Sequence, residues 1–120
     1  MTPQWFKTFQ LGWQHRRQRQ RIALYLDCRW QSEWGAQQSR ISSLSPTGCY
    51  IEDRFTVPHS GETVPELTMT LPTGPISVQG RVLDAMPGIG FAVRFMGVDD
   101  ETHDRLSALV QGFRQRHAQN

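Results

Sequence analysis

An all-β fold with one C-terminal helix, built as a six-stranded antiparallel β-barrel, is the architecture this chain predicts. Three observations carry it. Between residues 22 and 95 apolar side chains recur at every second position in short runs, which is the period of half-buried strands. Stretches bearing Gly and Pro separate the runs, as turns require. From residue 101 the period lengthens to that of a helix and stays there. A run of strands ending in one helix makes a single domain, and 120 residues are enough to bury a core.

The first strand begins at Ile22, with Ile22, Leu24, Leu26 and Cys28 on one face and Ala23, Tyr25, Asp27 and Arg29 on the other. Gln31 to Gly35 reads as a hairpin connection, Gly35 being free to take positive φ. A second strand over 36–42 leads into a tight turn, Ser43-Leu44-Ser45-Pro46-Thr47-Gly48, where Pro46 fixes φ and Gly48 permits left-handed geometry. Cys49 to Glu52 is the third strand, and Pro58 to Gly61 a loop. Leu67, Met69 and Leu71 alternate with Thr68 and Thr70 as the fourth. After the turn Pro72 to Pro75, Ile76, Val78 and Val82 mark the fifth, with Gly80 signalling either a bulge or a close backbone approach. Pro87-Gly88 turns the chain into the sixth, carrying Phe91, Val93 and Phe95. Leu106, Leu109, Val110 and Phe113 then predict a helix over roughly 101–116. Asp99 or Asp100 caps its start, acids occupy its first turns and Arg114 and Arg116 its end.

No apolar run reaches the ~20 residues that cross a bilayer, and residues 1–10 lack the apolar core of a secretory signal. The expectation is therefore cytoplasmic, with Cys28 and Cys49 as reduced, buried hydrophobes. A net charge of +2 does not indicate a globally basic nucleic-acid binder. The positive charge is local instead. Residues 15–21 hold four arginines and no acid, and run straight into the first strand, a placement suited to closing over an anion. Before them, residues 1–14 form an aromatic flap (Trp5, Phe6, Phe9, Trp13). It is read either as packing on the barrel or as a partner-docking patch; only Lys7 would support a membrane-surface role. No histidine adjoins a candidate nucleophile, no glycine-rich phosphate loop is present, and no carboxylates stand as a pair, so nothing recommends an enzyme. The four histidines lack metal-ligand spacing.

Two features belong together: Arg17-x-x-x-Arg21 and Ser43-x-Ser45-x-x-Gly48. The first sets two guanidinium forks ahead of the first strand. The second is a bend with two hydroxyls and exposed backbone N–H groups. Brought to one end of a barrel they would offer bidentate donors and hydroxyls to a phosphate or a guanine edge. Each also has a plainer reading, the arginines as a solvated run or a non-specific nucleic-acid contact, the serines as local turn chemistry. Arg94, outward on the sixth strand, reads as a surface residue, and His15 borders the arginine motif.

In these residues the chain resembles the PilZ domain family, bacterial receptors for cyclic di-GMP, whose signature is R-x-x-x-R before the first strand followed by D/N-x-S-x-x-G. Residues 88–95, Gly-Ile-Gly-Phe-Ala-Val-Arg-Phe, and the acid-capped helix are similar too, so the resemblance covers about 15–113, and we take 15–117 as the domain. It implies cyclic di-GMP as ligand, no cofactor or metal, and a site of Arg16, Arg17, Arg21, Ser43, Ser45 and Gly48. Arg17 and Arg21 would grip phosphates and guanine O6/N7, Ser45 and the turn ending at Gly48 would support the other side, and Arg16 would add a stacking guanidinium. Ser43 departs from the pattern by replacing the acid or amide that accepts from the guanine edge. A lost charge-assisted bond of ~1–3 kcal/mol weakens binding roughly tenfold to a hundredfold. Two functions follow: a receptor that relays the ligand to a protein partner, or a degenerate adaptor that binds protein and no nucleotide.

Overall fold

In the computed structural model, which describes residues 22–118, the chain forms β1 (Ile22–Ser32), β2 (Gly35–Ser45), β3 (Gly48–Glu52), β4 (Thr63–Leu71), β5 (Gly74–Met86), β6 (Gly90–Met96) and one helix, α1 (Asp100–Ala118). All neighbouring strands pair antiparallel, in the closed order β1-β2-β3-β6-β5-β4. The expected six-stranded barrel and terminal helix are both present. The flap over 1–14, His15 and the arginines at 16, 17, 19 and 21 lie outside the described residues.

The interior is what the alternation predicted. Ile22, Cys28 and Trp30 of β1 point inward with Ile41, Leu44, Cys49, Ile51, Leu67, Met69, Val82, Phe91 and Val93, all buried. Trp30 meets Phe91 edge to face at 5.0 Å. Its indole N–H donates to Ser39 Oγ (2.9 Å), which donates to Asp53 Oδ2 (2.6 Å). Asp53 Oδ1 in turn accepts the N–H groups of Phe55 and Thr56, fixing the start of the β3–β4 connection. On the outer surface Arg40 pairs with Glu52 (2.9 Å) and stacks 4.1 Å above the Tyr25 ring. Both cysteines are free and buried. Burial, reinforced by Asp27 and Asp53, pushes the Cys28 thiol up to about 12; burial also raises Cys49.

Several boundaries differ from the expectation for identifiable reasons. The β1–β2 loop is only Glu33-Trp34, because Ser32 Oγ donates to Gly35 O, accepts from Trp34 N, and Gly35 takes φ +112°. The expected turn over 43–48 shrinks to Pro46-Thr47: Ser43 to Ser45 continue β2 and Gly48 already belongs to β3. Gly80 proves to be a close approach, where a Cβ would run into Val93 Cγ1. The β5 irregularity lies further on, between Val82 and Asp84. β4 starts earlier than its apolar run, and Pro65 is tolerated because the β4–β5 register shifts between Val64 and Leu67.

α1 is capped by Asp99 rather than Asp100, with Thr102 N donating to Asp99 Oδ1 at 2.8 Å; the Thr102 side chain first, and then this backbone bond, hold the carboxyl below its ordinary range. Leu106 and Val110 enter the barrel core, and Leu109 and Phe113 pack beside them. Arg105 Nη2 ties the helix to the β4–β5 turn through Thr73 Oγ1 (3.1 Å) and Gly74 O (2.9 Å). No described helix is long and apolar enough to cross a membrane.

Candidate functional site

Ser45 ends β2 fully buried, and its hydroxyl organises the turn that follows. Oγ accepts from Thr47 N (3.2 Å) and Gly48 N (3.1 Å), with Gly48 O and Thr47 Oγ1 each 3.3 Å away. The local turn chemistry is therefore real, and it fixes the backbone of the bend. Pro46, locked in φ, is buried beneath it. Phe95 N donates to Thr47 O (2.8 Å), which anchors the bend to β6.

Three residues upstream of Ser45, β2 carries a double irregularity. Leu24 and Tyr25 together fill the space opposite Ser42 on the β1 side, whereas β3 passes from Ile51 to Tyr50 with no residue opposite it. The bulges switch the parity of β2, so Ile41 and Leu44 both enter the core and Ser43 turns outward. There Ser43 lies between Ala23 on β1 and Tyr50 on β3. Its Oγ is shielded from solvent and has no hydrogen-bond partner among the described residues. Tyr50 is itself buried although its neighbours Cys49 and Ile51 take the core side. Gly90 makes room for it, since a Cβ there would press on Tyr50 Cε1 and meet the Ile51 carbonyl. Burial first, then the charges of Asp84 and Glu52, push the Tyr50 phenol up to about 12, so it is a neutral hydroxyl at physiological pH.

The register bears on the two sequence motifs. Ile22, the residue directly after Arg21, pairs with Leu44, and Ala23 pairs with Ser43. β1 therefore begins beside the serine bend. Of the six expected site residues, Ser43, Ser45 and Gly48 are together on one hairpin; Arg16, Arg17 and Arg21 lie outside the described residues. Gly48 stands opposite Arg94, and Arg94 opposite Arg81, so the cross-strand row from the bend reads Ser45, Gly48, Arg94, Arg81. Tyr50 and Arg81 were not singled out from sequence. Alternation marks them as outward, and only the strand order brings them beside the motif.

A pocket of about 360 Å³, lined by Trp30, Trp34, Val57, His59, Glu62 and Pro65 among others, includes none of these residues. No group of three or more His, Cys, Asp or Glu side chains among the described residues is arranged to hold a metal.

A family profile described as PilZ domain matches residues 15–112. No curated protein sequence matches significantly. Among solved structures, YcgR from Escherichia coli in complex with c-di-GMP superposes with a TM-score of 0.71 at 12% identity, over 82% of this chain and 46% of that one. The K. pneumonia MrkH–c-di-GMP complex gives 0.71 at 14%, over 82% and 52%. The Bacillus subtilis inhibitor of motility MotI/DgrA gives 0.70 at 16%, over 81% and 50%. The chain thus spans about half the length of these three neighbours.

Proposed function

The chain belongs to the PilZ domain family, and from that premise we propose that it is a cyclic di-GMP receptor that passes ligand binding to a protein partner. The observation carrying the proposal is the β1–β2 register, which seats the residue after Arg21 opposite Leu44, between Ser43 and Ser45. Arg17 and Arg21 grip the phosphates and the guanine O6/N7 edge through bidentate bonds that lysine cannot copy. Arg16 stacks on a base. Ser45 keeps the bend in the shape that presents its backbone, and the unpartnered Ser43 hydroxyl faces the ligand from β2. Ligand held by Arg16, Arg17 and Arg21 shifts the aromatic segment 1–14 that precedes them, which creates or hides the partner surface. YcgR and MrkH, both solved with c-di-GMP, support the ligand class.

Calorimetric titration tests this. Cyclic di-GMP binds the unaltered chain, and Arg17→Ala or Arg21→Ala removes at least tenfold of the affinity, as the loss of one or two charge-assisted bonds predicts, at roughly 1.5–3 kcal/mol each. Ser43→Asp restores a carboxylate acceptor and tightens binding. It also lowers the melting temperature of the free protein, because that carboxylate is shielded without a partner until ligand arrives. Absence of heat at high micromolar ligand would instead support a second reading, a PilZ-type adaptor that binds protein alone. Ser43, without the charged acceptor, is the residue that favours it.

A further inference from the structure

Arg81 on β5 and Arg94 on β6 are direct cross-strand partners, both exposed, on the outer face. Directly opposed side chains on a sheet have Cβ atoms about 5 Å apart, and like charges placed so repel. The neighbourhood does not neutralise them. Neither forms an ion pair with a carboxylate among the described residues; Glu62, just before β4, is engaged with His59. Asp84, along the sheet beside Ala92, forms no ion pair with either guanidinium. On the other side of Arg94 the partner is Gly48, so no side chain separates the pair from the end of the Ser45 bend. Two exposed guanidinium groups, with roughly five N–H donors each, therefore sit on neighbouring strands in a row that runs through Gly48 to the motif.

We propose that Arg81 and Arg94 form an anion clamp that takes a phosphate group of the nucleotide bound at the Ser43–Gly48 bend, extending that site across β6 onto β5. The identity of the ligand rests on the cyclic di-GMP reading above; the clamp itself rests on the register and the unpaired charges. A phosphate oxygen pair matches guanidinium forks, and its charge removes the repulsion the free protein carries. The clamp distinguishes phosphorylated ligands from bare nucleosides, which present nothing for it to hold.

The experiment compares the full chain with Arg81→Gln and Arg94→Gln, substitutions that keep length and polarity while removing charge. Two readouts are taken: calorimetric affinity for cyclic di-GMP, and melting temperature in sodium phosphate against sodium chloride at matched ionic strength. Expected results are a roughly tenfold loss of cyclic di-GMP affinity in each variant, and a phosphate-specific rise in melting temperature that each variant abolishes. Ligand-free variants melt no lower than the parent, since a repulsion has been relieved, which separates the effect from misfolding. Equal cyclic di-GMP affinity in parent and both variants overturns the clamp. If the parent binds no cyclic di-GMP, the functional reading fails by itself, and the phosphate arm decides: a phosphate-specific rise abolished by the variants sustains an anion clamp, and no such rise overturns it. Salt-steep binding of random duplex DNA that both variants lose would also overturn it, assigning the pair to a nucleic-acid surface.

Discussion

Ser45 shows how one side chain couples the motif to the fold. Its hydroxyl serves two N–H groups of the turn, so its removal orphans buried backbone donors rather than a ligand contact. Ser45→Ala is expected to destabilise the protein by about 1–3 kcal/mol in urea unfolding and to weaken ligand binding through a deformed bend. A variant with unchanged stability would show that water or a neighbour replaces the hydroxyl without loss. This duality was only half visible in sequence. Ser-x-x-Gly with an intervening Pro announces a bend, and both motifs could be found by spacing. The orphaned Ser43 hydroxyl could not, because it depends on two bulges that converge at Ser42 and reverse the parity of β2. Nor could the Arg81–Arg94 pair, whose members come together only when the β5–β6 register is known.

Among the elements, α1 was the most legible, since Leu106, Leu109, Val110 and Phe113 mark one face at helical spacing. The strands were read short. β2, expected over 36–42, runs from Gly35 to Ser45, because Ser43, Leu44 and Ser45 keep their ladder bonds where turn chemistry was expected. What sequence could not show is how the helix is fastened. Arg105 reaches the turn carrying Thr73 and Gly74, about thirty residues away, while Leu106 sits wholly inside the core. Leu106→Ala should cost about 2–5 kcal/mol as a buried cavity. Arg105→Ala, which removes partly exposed bonds, should cost about 1 kcal/mol. Equilibrium denaturation of the two variants measures the difference. Equal losses would mean that the helix is held by its clasp as much as by its buried face.

At the scale of the molecule, burial of acidic protons makes the fold sensitive to alkali. The Cys28 thiol, ordinarily at 9.0, and the Tyr50 phenol, ordinarily at 10.0, are both pushed up to about 12, and Cys49 is raised as well. Each folded pKa lies above its unfolded value, so the folded chain keeps the proton longer. The stability this provides is intact below pH 9 and is lost as pH rises from 9 through about 12. Urea midpoints should therefore be level between pH 7 and 9 and fall steadily above, with thiolate absorbance appearing only as the protein unfolds. Thiolate formation in the native state near pH 9 would contradict the burial of Cys28. The barrel's closure also sets an order of assembly. The hairpins β1–β2 and β2–β3 join residues close in the chain, whereas β3 meets β6 across some forty residues and β1 meets β4 across a similar span. Loop-closure entropy makes such distant pairings late and slow. The serine bend is thus expected to take shape in a nascent three-stranded meander, so that a newly made chain would hold half of the proposed ligand cradle before the ring around it is sealed.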